Sequence, residues 1–271
     1  MKVAITGKGG TGKTTIAGVL SRSLARRGAE VVAVDADPNP NLAVTLGMGL
    51  DAAAKIESVT NVLLHEKAEH SHDGGHEHDE SESASDGAEE LLARLGVTAP
   101  DRVRLIQTGI IERPAEGCLC CGSHRTSRRI FDELDASDRV VIADLEAGVI
   151  DLLWVWPKPE DTALVVTEPY IKSLEVARRA LEVTRDFGVG QVFVVANRVS
   201  GRADVERVRK YLPGYEILEV PDDPSITRAA QTGLSPIDQA GDSPAVEAVA
   251  EIAGRLKNVP AAVPGGQGLS T

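Results

Sequence analysis

The stretch that most restricts what this chain can become is Gly7-Lys8-Gly9-Gly10-Thr11-Gly12-Lys13-Thr14. It fits G-x-x-x-x-G-K-[ST], a spacing with a mechanism behind it. Glycines let backbone N–H groups turn toward a phosphate chain, and a helix starting there adds the positive end of its dipole. The mechanism needs a strand before the loop and a helix after it. Lys2 to Thr6 supplies the apolar strand pattern, and Thr14 to Arg27 a helical pattern that Gly28 ends. Lys13 is expected at the β- and γ-phosphates of a nucleoside triphosphate, and the Thr14 hydroxyl on Mg²⁺. Gly7, Gly9, Gly10, Thr11, Gly12, Lys13, Thr14 and Thr15 are the candidate nucleotide contacts.

The rest of the chain repeats the alternation that this loop requires. Continuous apolar runs at Val31 to Asp35, Val103 to Gln107, Val140 to Asp144, Ala163 to Thr167 and Val192 to Ala196 read as parallel strands covered on both faces. Tyr215 to Val220 reads as a last strand. Helical patterns fall at Ile171 to Phe187, Asp204 to Tyr211, Pro224 to Thr232 and Ser243 to Lys257. Strands alternating with helices imply a single α/β domain over residues 1–257, with a doubly wound, mostly parallel sheet and helices on both faces. Open sheets of this kind place ligand contacts at the strands' C-terminal ends. Asp35 and Asp37 stand at one such end and Asp144 at another, where an Asp can equally be an ordinary capping residue.

Charge and cysteine usage narrow the classes of partner. The formal net charge is -12, the reverse of the basic face that nucleic-acid binding needs. No apolar run reaches the ~18 residues of a membrane span. The first residues run straight into the glycine loop rather than forming a leader, so a cytoplasmic location is expected. Residues 66–90 hold ten acidic residues and one Lys, with Gly, Ser and His filling most of the remainder. Such a segment buries too little apolar surface to offset its ordering entropy, and it is expected to be disordered. Residues 258–271, rich in Pro and Gly, are expected to be a disordered tail. All three cysteines, Cys118, Cys120 and Cys121, fall within four positions. That arrangement suits a metal or redox site better than a disulfide framework. His70, His72, His76 and His78 lie in the acidic segment, as a weak site for Ni²⁺, Zn²⁺ or Cu²⁺ or as incidental members of a solvated loop.

The Lys8-Gly-Gly-x-Gly-Lys-Thr form of the loop resembles the deviant Walker A ATPases, the group of MinD, ParA and the nitrogenase iron protein. The resemblance implies an ATP-hydrolysing homodimer in which Lys8 reaches the partner's nucleotide. Lys8, Lys13 and Asp37 become the candidate catalytic residues, with Asp37 orienting the attacking water. Asp35 supports the Mg²⁺ shell, Asp144 holds a Mg²⁺ water, and Gly148 moves its backbone toward the γ-phosphate. Asn197, Pro221 and Asp222 match adenine-contacting positions.

Within that group, Cys118-Leu119-Cys120, Glu146-Ala147-Gly148, Thr167-Glu168-Pro169 and Ser173-Leu174-Glu175 are similar to the CooC-type nickel-insertion ATPases. The likeness spans Met1 to Leu64 and Val103 to Lys257. It implies one Ni²⁺ or Zn²⁺ held between two subunits and delivered to an apo-metalloenzyme such as carbon monoxide dehydrogenase. Cys121 departs from the pattern, leaving Cys118/Cys120, Cys120/Cys121 or all three as the ligand set. Val149-Ile150-Asp151 stands where a Glu-His pair is usual, and Trp154-Val155-Trp156-Pro157 also departs, both in the second switch segment. The competing readings are a MinD- or ParA-like positioning ATPase and an iron–sulfur ATPase like the nitrogenase iron protein. The former calls for a C-terminal amphipathic helix or basic patches, the latter for well-separated cysteines.

Overall fold

The computed structural model describes residues 1–70, 86–109, 119–149, 152–153, 158 and 160–256, without the side chains of 67–70 and 119–122. Eight strands form one sheet: β1 (Lys2–Gly7), β2 (Val31–Asp35), β3 (Val97–Thr98), β4 (Arg104–Gln107), β5 (Val140–Asp144), β6 (Thr162–Thr167), β7 (Gln191–Val199) and β8 (Glu216–Pro221). Their order is β3-β4-β2-β5-β1-β6-β7-β8. Every pairing is parallel except β3 with β4. The chain therefore starts in the middle of the sheet, winds outward to β2 and β4, and returns past β1 to build β6 to β8. The crevice that such a reversal opens lies at the C-terminal end of β1.

The strands alternate between two cores, as doubly covered strands must. Val3, Ile5, Ala33, Ile142 and Leu164 pack on the side of the Lys13–Arg26 and Pro244–Arg255 helices. Ala4, Val34, Val141 and Val165 pack on the opposite side, under the Ile171–Asp186 and Arg202–Tyr211 helices. The strands expected from apolar runs all form. Two-residue β3 is an addition: it follows Gly96 and is too short to show a period.

The structure departs from the sequence reading in two places. The ends of the acidic segment are helical, because Val59–His70 and Ala88–Leu95 are both helices. The second buries Ala88, Leu91, Leu92 and Leu95, an apolar stripe that the neighbouring acidic run masks. The disorder expected for residues 66–90 thus does not hold for 66–70 or 88–90, while 71–85 lie outside the described residues. The cysteine segment, for which the sequence marked no element, enters a helix at Leu119–Glu133. Its buried face runs Ser123, Ser127, Ile130, Phe131 and Leu134. Two serines occupy positions that an apolar residue would normally mark, and this hid the helical period.

Candidate nucleotide site

The loop after β1 depends on its glycines. Gly10 and Gly12 have φ of 81° and 92°, the left-handed region that glycine enters without a Cβ penalty. Gly7 has no room for a side chain, since a Cβ there would meet the Val166 carbonyl oxygen at 2.2 Å. Thr11 Oγ1 closes the turn by donating to the Lys8 carbonyl at 2.8 Å. Gly12 then caps the Lys13–Arg26 helix, whose first N–H groups open onto the loop. Lys13 is 93 % buried at this helix start, whereas Lys8 Nζ lies on the exposed side, donating to the Gly9 carbonyl at 3.4 Å.

Two carboxylates sit at neighbouring strand ends beside the loop, Asp35 and Asp144 facing each other in the β2–β5 register. Both are buried. Asp35 accepts from the Leu42 N–H at 2.9 Å and the Asp37 N–H at 3.4 Å. Burial, then the nearby Asp144, pushes the Asp35 carboxyl well above the usual carboxylate range. Burial likewise raises Asp144 to about 7, with the Thr14 hydroxyl and the Lys13 ammonium opposing the rise. Asp144 Oδ1 is buried without a hydrogen-bond partner. A buried, unsatisfied carboxylate oxygen is costly. Together with Thr14 it supplies the hard oxygen donors suited to Mg²⁺ and its water shell, so these residues fit that cofactor. Asp37 is held in a turn, its Oδ1 accepting from the Asn39 N–H at 2.8 Å.

The segment after Asp144 returns to the loop. Gly148 N–H donates to the Gly7 carbonyl at 3.0 Å, and Thr6 Oγ1 donates to the Gly148 carbonyl at 3.1 Å. The segment after Asp144 therefore touches the phosphate loop through its backbone.

Asn197, Pro221 and Asp222 come together at one cleft, which opens beside Gly12 and Thr15. Sequence reasoning missed its apolar walls, Ile16 and Val19 of one helix, Ile226 of a second and Val246 and Val249 of a third. Asp223 sets the second of these helices as its N-cap, accepting from the Ser225 N–H at 2.8 Å. Arg198 also lines the cleft and was missed, although it adjoins Asn197 in sequence. The cleft is concave and largely apolar with a few polar groups, which suits a flat heterocycle continuous with a phosphate chain.

The thiol candidates are only partly described. Cys120 and Cys121 lie in the first turn of the Leu119–Glu133 helix, and His70 ends the Val59–His70 helix. Cys118, His72, His76 and His78 lie outside the described residues. Among the described residues no cluster of three or more His, Cys, Asp and Glu side chains forms a metal site. The cysteine helix is nonetheless fastened to the nucleotide end. Ser127 Oγ hydrogen-bonds Thr108 Oγ1 at 2.7 Å, and Thr108 Oγ1 also reaches the Asp35 carbonyl at 3.1 Å. Gly109 fits tightly between, since a Cβ there would lie 2.6 Å from Ser123 Oγ and 3.3 Å from the Asp37 carbonyl oxygen.

A glycine loop at a buried strand end, a lysine at the helix start, paired acidic strand ends and an apolar cleft define a P-loop nucleotide-binding protein of the α/β class. Residues 2–237 match the CobQ/CobB/MinD/ParA nucleotide binding domain, and the chain belongs to that family. It is 30% identical over 243 residues to the carbon monoxide dehydrogenase accessory protein CooC of Rhodospirillum rubrum, covering 88% of this chain and 90% of that one. An ATP-binding protein of Methanocaldococcus jannaschii, MJ0823, is 32% identical over 248 residues, 86% of this chain and 90% of its own length. In fold the chain is similar to the septum site-determining protein MinD of Pyrococcus horikoshii in complex with Mg-ADP. The TM-score is 0.69 at 19% identity, over 95% of this chain and 96% of that one. No helix among the described residues is long and apolar enough to cross a membrane.

Proposed function

We propose that this protein is an ATP-hydrolysing, nucleotide-switched homodimer that carries a transition-metal ion, nickel foremost, to an apo-metalloenzyme such as carbon monoxide dehydrogenase. The observation that carries the reading is the 30% identity to CooC across 88% of the chain, in a protein whose only cysteines fall within four positions. Lys13 and the Gly12 and Lys13 backbone neutralise and orient the phosphates. Asp37 orients the attacking water, and Lys8 serves the partner's nucleotide across the dimer. Thr14, Asp35 and Asp144 hold Mg²⁺ and its waters, which when bound balance the charge of the transferring phosphoryl group. Cys118 and Cys120 of two subunits, with or without Cys121, supply thiolates for one tightly held Ni²⁺ or Zn²⁺ cargo ion. His70, His72, His76 and His78 hold further ions more weakly.

Metal titration of the purified protein, read with sedimentation and phosphate release, tests this. The expected result is one tight Ni²⁺ or Zn²⁺ per dimer, lost together with metal-dependent dimerisation when Cys118 and Cys120 are both changed to Ser, with ATP binding retained. Lys8→Ala should leave nucleotide binding near wild type while removing ATP-dependent dimerisation and turnover. A double Cys variant that keeps the tight ion would overturn the metallochaperone reading. A visible iron–sulfur absorption band would replace it with electron transfer.

A further inference from the structure

Strand β7 contains an irregularity at the point where it meets the phosphate loop. Its register with β8 runs Phe193 with Glu216 through Asn197 with Val220, and then resumes at Val199 with Pro221. Arg198 is the extra residue of a bulge, with φ of 56°, which an arginine rarely adopts. Neighbours in a regular strand point to opposite faces. Here both reach the same loop. Asn197 Nδ2 donates to the Thr11 carbonyl at 2.6 Å, and Arg198 Nη1 donates to the Gly10 carbonyl at 3.1 Å. The same Arg198 Nη1 donates to Glu168 Oε1 at 2.8 Å, so a second strand end braces the guanidinium. Asn197 is packed tightly on the loop, since a Cβ on Gly12 would lie 2.4 Å from its Nδ2.

A trans peptide points its C=O and its N–H in opposite directions. Drawing the Gly10 carbonyl toward Arg198 directs the Thr11 N–H the other way, to the Lys8 carbonyl at 3.3 Å. Drawing the Thr11 carbonyl toward Asn197 directs the Gly12 N–H away from Asn197. Two successive peptide planes are thus set by two successive side chains. We propose that Asn197 and Arg198 are positioning residues of the phosphate loop, orienting the 10–11 and 11–12 peptides and so governing affinity for the phosphate chain itself, independently of the base. The inference rests on the nucleotide-binding reading and assigns Asn197 a task beyond lining the base cleft. Unusual backbone at a functional site is worth its strain only if it sets geometry there.

Competition of ATP and of inorganic tripolyphosphate, each with Mg²⁺, against a fluorescent ATP analogue tests it. The set comprises wild type, Asn197→Asp, Arg198→Ala, Arg198→Lys and Glu168→Gln. The expected result is that Asn197→Asp and Arg198→Ala weaken both ligands by the same factor, about 5- to 10-fold. Arg198→Lys, which keeps the charge and a donor, should recover part of the loss. Glu168→Gln should fall between Arg198→Lys and wild type, and it covers the case of an Arg198→Ala chain that does not fold. Variants that lose ATP affinity but hold tripolyphosphate as wild type does would make these residues base contacts and overturn the proposal. Unchanged affinity for both ligands would also overturn it. A wild-type protein that binds neither ligand would instead refute the nucleotide-binding reading.

Discussion

The two halves of the nucleotide site are made in different ways. The phosphate half is backbone, set by consecutive residues whose φ angles and close contacts leave almost no choice of side chain at Gly7, Gly10 and Gly12. The half proposed for the base is side chain, gathered from the Lys13–Arg26, Pro224–Thr232 and Pro244–Arg255 helices and the ends of β7 and β8. A backbone site is specified locally and fails abruptly when one residue changes. A side-chain cleft is specified by tertiary packing and loses affinity in steps.

Substitutions on the two halves should separate accordingly, and the largest effect falls on Gly7. Its Cβ would lie 2.2 Å from a backbone oxygen of β6, which cannot move without disturbing the centre of the sheet. Gly7→Ala is expected to destabilise the fold by about 3 kcal/mol or more in urea denaturation. A wild-type midpoint would show the loop to be more plastic than the contrast allows.

Lys13→Ala should come next, weakening ATP about 100-fold or more (roughly 3 kcal/mol) in a binding titration while leaving the fold intact. Asp37→Ala should bind ATP near wild type yet abolish phosphate release, and full turnover would remove Asp37 from the mechanism. In the base half, Ile226→Ala should weaken ATP only several-fold, about 1 kcal/mol of lost apolar contact, with tripolyphosphate unaffected. Equal losses for both ligands would place Ile226 outside the base cleft.

The smallest effect is one of pH. Asp35 and Asp144 are acids whose pKa values lie higher in the folded protein than in the unfolded chain, Asp144 at about 7. The native state then holds more protons than the unfolded state from about pH 4 to about 7, and stability falls as pH rises through that window. Without Mg²⁺ or nucleotide, the denaturation midpoint should be higher at pH 5 than at pH 8. Asp144→Asn, which cannot ionise, should flatten the slope. A midpoint that rises with pH would contradict the buried-pair assignment.

The same contrast governs how much could be read from the sequence. Continuous apolar runs identified the parallel strands because both faces of each are covered, as Val31 to Asp35 illustrates with every residue buried. The phosphate loop and the strand-end carboxylates were legible because their spacing is a local requirement. Ile226, Val246 and Val249 were not singled out, since an apolar residue facing a cleft looks the same in sequence as one facing the core. Arg198 escaped because a bulge leaves no mark on the apolar pattern of β7. Ser123 and Ser127 hid the Leu119–Glu133 helix by placing hydroxyls where burial usually demands hydrocarbon.

Those serines set the terms on which one end of the molecule can feel the other. Thr108 spends a single hydroxyl on both Ser127 and the Asp35 carbonyl, at 2.7 and 3.1 Å, so helix and strand end share one hinge pin. Sliding the helix by a single residue, about 1.5 Å along its axis, would pull this pin apart. A concerted tilt of strand end and helix leaves it whole. Gly109, wedged against Ser123 and the backbone of Asp37, removes the slack that would let one move without the other. Cys120 and Cys121, in the first turn of that helix, are thereby tied through Ser127 and Thr108 to the strand end that carries Asp35.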